Sequence, residues 1–120
     1  MNFKNKRNKY NARKTDVDGH TFDSKAEARR YEELKLLERA GEITGLELQP
    51  KFLLIPSYTN ARGRKARAAH YIADFSYTDT DGKRIVEDVK GQPTELYRFK
   101  KKLTEFLYKE QGVTITEIRR

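Results

Sequence analysis

The chain has 120 residues, enough for one domain with a single core and too few for two. It holds no cysteine, which excludes a disulfide framework and a thiolate-bound zinc, and no apolar run approaches membrane-spanning length. The formal charge of +8 is gathered into clusters, and such clusters are the footprint of a polyphosphate partner held by counterion release.

The first cluster opens the chain. Lys4, Lys6, Arg7, Lys9, Arg13 and Lys14 precede the first acidic residue, Asp16, in a segment with few apolar residues and no periodicity. Such a segment has nothing to bury, so residues 1–17 are expected to be a flexible basic arm, followed by a folded domain over 18–120. The arm is polar and lacks the apolar stretch of a signal peptide, which points to a soluble intracellular protein.

Ser24 and Glu27 have the S-x-x-E spacing of a capping box and open a helix that runs to Ala40, where Gly41 supplies a stop. Ala28, Tyr31, Leu34, Leu37 and Ala40 form its buried stripe. Leu46 to Ile55 reads as the first strand, with Pro50 marking an edge or a bulge. Gln49 on this strand is a candidate to orient a water or a phosphate. The second basic cluster, Arg62, Arg64, Lys65 and Arg67, follows in a loop.

Tyr71 to Tyr77 (YIADFSY) and Arg84 to Lys90 (RIVEDVK) are rich in β-branched and aromatic residues and flank a turn sequence, so they read as a hairpin. A three-residue loop of Thr80, Asp81 and Gly82, with the glycine left-handed, pairs Asp79 with Lys83 and sets Asp74 opposite Asp88. Directly opposed residues have Cβ atoms about 4.5–5.5 Å apart, close enough to share a cation. Lys90 points the same way as Asp88, and Glu87 points to the other face as a structural residue. On this reading Tyr71, Phe75 and Tyr77 share one core-facing side. A two-residue turn would slip the register and put Asp74 on the wrong face.

Gly91-Gln92-Pro93 ends the third strand. Thr94 is the N-cap of a second helix from Glu95 to about Glu110, with Leu96, Phe99, Leu103, Phe106 and Leu107 along one side and Arg98, Lys101, Lys102, Glu105 and Lys109 mainly on the other. Lys100, Lys101 and Lys102 make the third basic cluster. Val113 to Ile118 is a closing strand. The order helix, three strands, helix, strand defines an α/β chain, an α+β arrangement with a mixed sheet.

Two acidic residues and a lysine brought to one point are what metal-assisted phosphodiester cleavage requires. Acidic oxygens hold a hard cation, and the lysine positions water or stabilises developing charge. Oxygen donors without sulfur favour Mg2+ or Mn2+ over zinc. A salt bridge between Asp88 and Lys90 is the structural alternative, and for Glu27 the helix cap is one. His20 and His70 lack a partner motif.

With its acids on the second and third strands, the chain resembles the PD-(D/E)XK nuclease superfamily, whose restriction-endonuclease-like core has the order αβββαβ. Asp74 stands for the first acid, Asp88 and Lys90 stand for the (D/E)-x-K element, and Ala73-Asp74 replaces the Pro-Asp pair. Glu27 fits the glutamate that some branches draw from the first helix. The strings FDSKAEARRYEELKLLERAGEI, LELQPKF, YIADFSY and VEDVKG are similar to those of a small phage-encoded, Holliday-junction-resolvase-like family of uncharacterised proteins. The resemblance covers about Val17 to Ile118.

That resemblance implies a metal-dependent DNA endonuclease of phage origin, acting on branched or recombination intermediates in the cytoplasm of the bacterial host. Asp74, Asp88 and Glu27 would be its metal ligands and Lys90 its catalytic lysine. The three basic clusters would bind DNA, and symmetric junction cleavage would call for a homodimer. The alternative is a non-catalytic nucleic-acid-binding accessory in phage recombination or packaging.

Overall fold

The structure, a computed structural model, describes residues 14–119. Lys4, Lys6, Arg7, Lys9 and Arg13 of the basic arm therefore lie outside the described residues. The expected arm ends sooner than residue 17: β1 (Thr15–Val17) pairs antiparallel with β2 (His20–Phe22) through a turn in which Asp18 and Gly19 both have positive φ.

Helix α1 (Lys25–Arg39) begins where the capping pattern places it, with the Ser24 Oγ accepting the Glu27 amide at 3.1 Å. It ends at Gly41, whose φ of +78° lets the Glu42 amide turn back to the Leu37 carbonyl. The buried stripe is shorter than its sequence suggests. Ala28, Tyr31 and Leu34 are buried, whereas Leu37 and Ala40 are exposed.

The expected first strand is broken into β3 (Thr44–Leu48) and β4 (Lys51–Ile55) at Gln49-Pro50, where Gln49 has a φ of +51°. Beyond it, β5 (Tyr58–Thr59) and β6 (Lys65–Ala66) close a ribbon, and the chain returns through β7 (Ala69–Ile72) and β8 (Phe75–Thr78). β9 (Arg84–Lys90), helix α2 (Glu95–Leu107), a turn of 3-10 helix and β10 (Thr114–Arg119) complete the fold. The central sheet has the order β10-β9-β8-β3. β10 lies parallel to β9 and the other pairs are antiparallel, so the sheet is mixed as expected.

The hairpin turn has the expected geometry. The Asp79 amide donates to the Lys83 carbonyl at 2.9 Å, Gly82 has a φ of +80°, and the Asp79 carboxylate accepts the amides of Asp81 and Lys83. Phe75 pairs with Glu87 and Thr78 with Arg84.

The strand leading into it is not continuous. Ala73 and Asp74 interrupt it, and the amides of Ala73 and Asp74 donate to the Pro50 and Glu87 carbonyls, respectively. The break shifts alternation by one residue. Tyr71 and Ala73 lie in the core cluster with Phe52, Val86, Tyr97 and Ile115, under α2. Phe75 lies in the cluster with Phe22, Tyr31 and Leu34, under α1, with Tyr77 packed against it. Tyr71 and Phe75 therefore do not share a face, contrary to the even alternation of YIADFSY. Two successive breaks facing each other, Gln49-Pro50 and Ala73-Asp74, turn the outer ribbon away from the sheet as a bulge does.

Helix α2 is capped by the Thr94 Oγ1, which accepts the Tyr97 amide at 3.1 Å. It meets the sheet through Tyr97 and Thr104, not through its apolar stripe. Leu96 and Phe99 are each 63 % exposed and Phe106 is 61 % exposed. Polar bonds set this orientation: Glu105 accepts the Ile115 amide at 2.9 Å, and the Tyr108 hydroxyl donates to the Leu53 carbonyl at 2.9 Å. Among the described residues no helix is long and apolar enough to cross a membrane.

Candidate functional site

Asp74 lies in the break between β7 and β8 and Asp88 lies on β9; the ladder ends at Phe75 opposite Glu87, so the direct cross-strand pairing expected of Asp74 and Asp88 is not formed. The carboxylate of Asp74 accepts the Val89 amide at 2.8 Å, taking a ladder position that the break has vacated. Asp88 is 1 % exposed, and the Tyr71 hydroxyl donates to one of its carboxylate oxygens. Each carboxylate thus spends one oxygen on a protein donor.

Glu27 joins them from α1. It lines a cleft of about 100 Å³ with Asp74, Gln49, His20, Thr21, Phe22 and Leu48, a space larger than one water needs. The capping box is half made: Ser24 caps Glu27, while the Glu27 carboxylate lines the cleft. Burial, followed by the negative charges of Asp74, Asp23 and Asp88, pushes the Glu27 carboxyl up to about 7, against the pull of Lys90. Burial likewise raises Asp88 to about 6, opposed by Lys90 and the Asp74 amide. Asp74 is raised by burial too, with the Val89 amide and Lys90 working against it. All three carboxyls hold protons more tightly than free ones do, chiefly because burial disfavours their charged forms.

Lys90 lies on the α2 side. Its Nζ sits 4.5 Å from the centroid of the Tyr97 ring, and it lines a second cleft of about 300 Å³ with His70, Tyr71, Thr94 and Lys100. Glu87 faces the other way, as expected of a structural residue. It is 1 % exposed and forms a two-pronged ion pair with Arg30, at 2.8 Å from Nε and 2.7 Å from Nη2, and it accepts the Tyr77 hydroxyl.

Among the described residues no group of three or more His, Asp or Glu side chains is placed to hold a metal ion. Magnesium does not ask for three, since it is held by one or two carboxylates, with waters and substrate phosphates completing the shell. Two clustered carboxylates, each with an oxygen not engaged by these bonds, and a third facing the same negative charges fit a hard divalent cation by donor chemistry.

The basic residues divide. Arg62, Arg64, Lys65 and Arg67 are exposed on the outer ribbon, and Lys14 is exposed beside β1. Lys100 borders the second cleft. Lys101 is not a free phosphate ligand: its Nζ lies 3.6 Å from the Glu117 carboxylate, half-buried against β10. Sequence reasoning missed Asp23, whose charge acts on Glu27 and Asp74, and the Tyr71 hydroxyl on Asp88. Asp23 precedes the helix cap directly, and that position was the one local signal for it. The Tyr71 contact depends on the strand break and had none.

The fold defines a small single-domain α+β protein with two helices and a mixed sheet. The chain belongs to the DUF1064 family, described as proteins of unknown function, whose model matches residues 7–119. No curated protein and no solved structure matched the chain.

Proposed function

We propose that this protein is a Mg2+- or Mn2+-dependent deoxyribonuclease of the PD-(D/E)XK type, acting on branched or recombination intermediates of phage DNA. The observation that carries the reading is the convergence of Asp74, Asp88 and Glu27, all with raised proton affinity, beside Lys90. A pure binding protein gains nothing from carboxylates facing phosphates.

In this reading Asp74 and Asp88 hold the cation, with Glu27 as a further oxygen donor. The bound cation would supply Lewis acidity and a more acidic water. Tyr71 fixes the Asp88 carboxylate through its hydroxyl, and the Val89 amide fixes that of Asp74. Lys90, kept over the Tyr97 ring, carries a positive charge that stabilises the phosphate as negative charge builds on it.

The test is incubation of the purified protein with labelled linear, flapped and four-way DNAs in magnesium, manganese and chelator. Metal-dependent cutting of at least one DNA is expected. Binding without cutting in every arm would overturn the reading and leave a DNA-binding accessory protein.

A further inference from the structure

From Leu48 to Ala73 the chain contains no acidic residue, and the outer part of this stretch is the β5–β6 ribbon. Its tip is an ordered turn. Asn60 Oδ1 accepts the amides of Arg62 and Arg64 at 2.9 and 3.0 Å. The Asn60 amide donates to the Arg64 carbonyl at 2.8 Å, the Gly63 amide donates to the Asn60 carbonyl at 2.9 Å, and Gly63 has a φ of +79°. The cations of Arg62, Arg64, Lys65 and Arg67 are exposed, and none is in an ion pair among the described residues.

Neutralising phosphates needs charge alone, and a slack loop supplies that as well as an ordered one. A preformed turn lowers the entropy cost of entering a confined space. The major groove of B-form DNA, about 12 Å wide, admits a two-stranded ribbon, whereas the major groove of A-form RNA is too narrow for side chains to read. Arginine is also the side chain that pairs in two-pronged fashion with the guanine edge in that groove.

We propose that the β5–β6 ribbon is a groove-inserting arm that enters the major groove of duplex DNA, with Arg62 and Arg64 directed at guanine edges and Lys65 and Arg67 at phosphates. The inference rests on the reading of the protein as one that acts on DNA, and adds to it where the duplex flanking the cleaved site is held.

The test is dimethyl sulfate footprinting and affinity measurement of the full chain on mixed-sequence duplex DNA in chelator, with the melting of each variant checked. Wild type is expected to protect a block of guanine N7 atoms in the major groove. Arg62→Ala and Arg64→Ala should abolish that protection and weaken binding by about fivefold to a hundredfold each. Gly63→Val keeps every charge and meets open space, so its effect is confined to the left-handed backbone. It should depopulate the turn, and weaken binding, by about five- to thirtyfold with the salt slope unchanged. Asn60→Ala, which removes the acceptor of both arginine amides, should act in the same direction and serves if Gly63→Val melts early.

Wild-type binding and protection in both turn variants would overturn the proposal, as would protection of adenine N3 in the minor groove or absence of duplex binding. Guanine protection without metal-dependent cleavage would leave the arm standing and sink the nuclease reading. Cleavage without guanine protection would do the reverse.

Discussion

The carboxylate of Asp74 accepts the backbone amide of Val89 across the break in its own strand, at 2.8 Å. One side chain is therefore both part of the sheet's hydrogen bonding and part of the acidic cluster. An asparagine can keep the first role and lose the second, because its amide oxygen still accepts while the charge is gone.

Asp74→Asn is accordingly expected to melt within about 1 kcal/mol of wild type. Its metal-dependent cleavage should fall by at least about a hundredfold. DNA binding should hold or tighten as repulsion of phosphate is relieved. Melting curves, single-turnover cleavage and gel shifts on one preparation separate the roles. Wild-type cleavage would remove Asp74 from the metal site.

Glu27 titrates at 4.5 as an ordinary glutamate and at about 7 in the fold. Between those values the folded chain holds a proton that the unfolded chain has lost, so stability from this group is present below 4.5 and lost as pH rises through about 7. Asp88 adds a window from 3.8 to about 6 with the same sign. The melting temperature of wild type should therefore carry a component that falls from pH 5 to 8. Glu27→Gln should flatten it, and Mn2+ should raise melting more at pH 8 than at pH 5. Parallel wild-type and mutant profiles would show that Glu27 does not titrate in this range.

Arg30 and Glu87 form a buried ion pair between α1 and β9. Arg30→Ala leaves the Glu87 charge without its cation and should cost about 3–5 kcal/mol in denaturant unfolding. Replacing both partners by apolar residues, Arg30→Met with Glu87→Leu, should cost less than that single change. A double variant less stable than Arg30→Ala would contradict this account.

The orientation of α2 is open to the same kind of measurement. Phe99→Ser, on the exposed stripe, should change stability by no more than about 0.5 kcal/mol. Tyr97→Ala, in the core, should cost about 3–5 kcal/mol. The reverse ranking would mean that the helix turns its apolar side to the sheet.

Local chemistry made much of this legible in sequence. Ser24, Gly41, Thr94 and the Asp79–Lys83 turn act through neighbours a few residues away, and each takes the expected conformation. The break at Ala73-Asp74 has no such signature. YIADFSY alternates well enough for an unbroken strand, and what stabilises the break lies on other strands, at Val89 and Pro50. Helical spacing likewise revealed an apolar stripe on α2 without saying which side meets the sheet. The floor beneath it carries Asp88, Lys90 and Glu117, and suits Tyr97, Thr104 and Lys101 better than leucine. The turn determines the register only as far as Phe75 opposite Glu87, one pair short of Asp74 and Asp88, whereas Asp23 and the Tyr71 hydroxyl arrive through tertiary contacts.

The change of face between Tyr71 and Phe75 has a thermodynamic consequence. Within four residues the same backbone is anchored in both hydrophobic clusters, and the link between them is the short, hydrogen-bonded Ala73-Asp74 step. Neither cluster can melt without dragging an aromatic anchor of the other along the chain. Heat should therefore unfold both halves in one transition, and the most protected amides in hydrogen exchange, on β8 and β9, should exchange together at the global unfolding free energy.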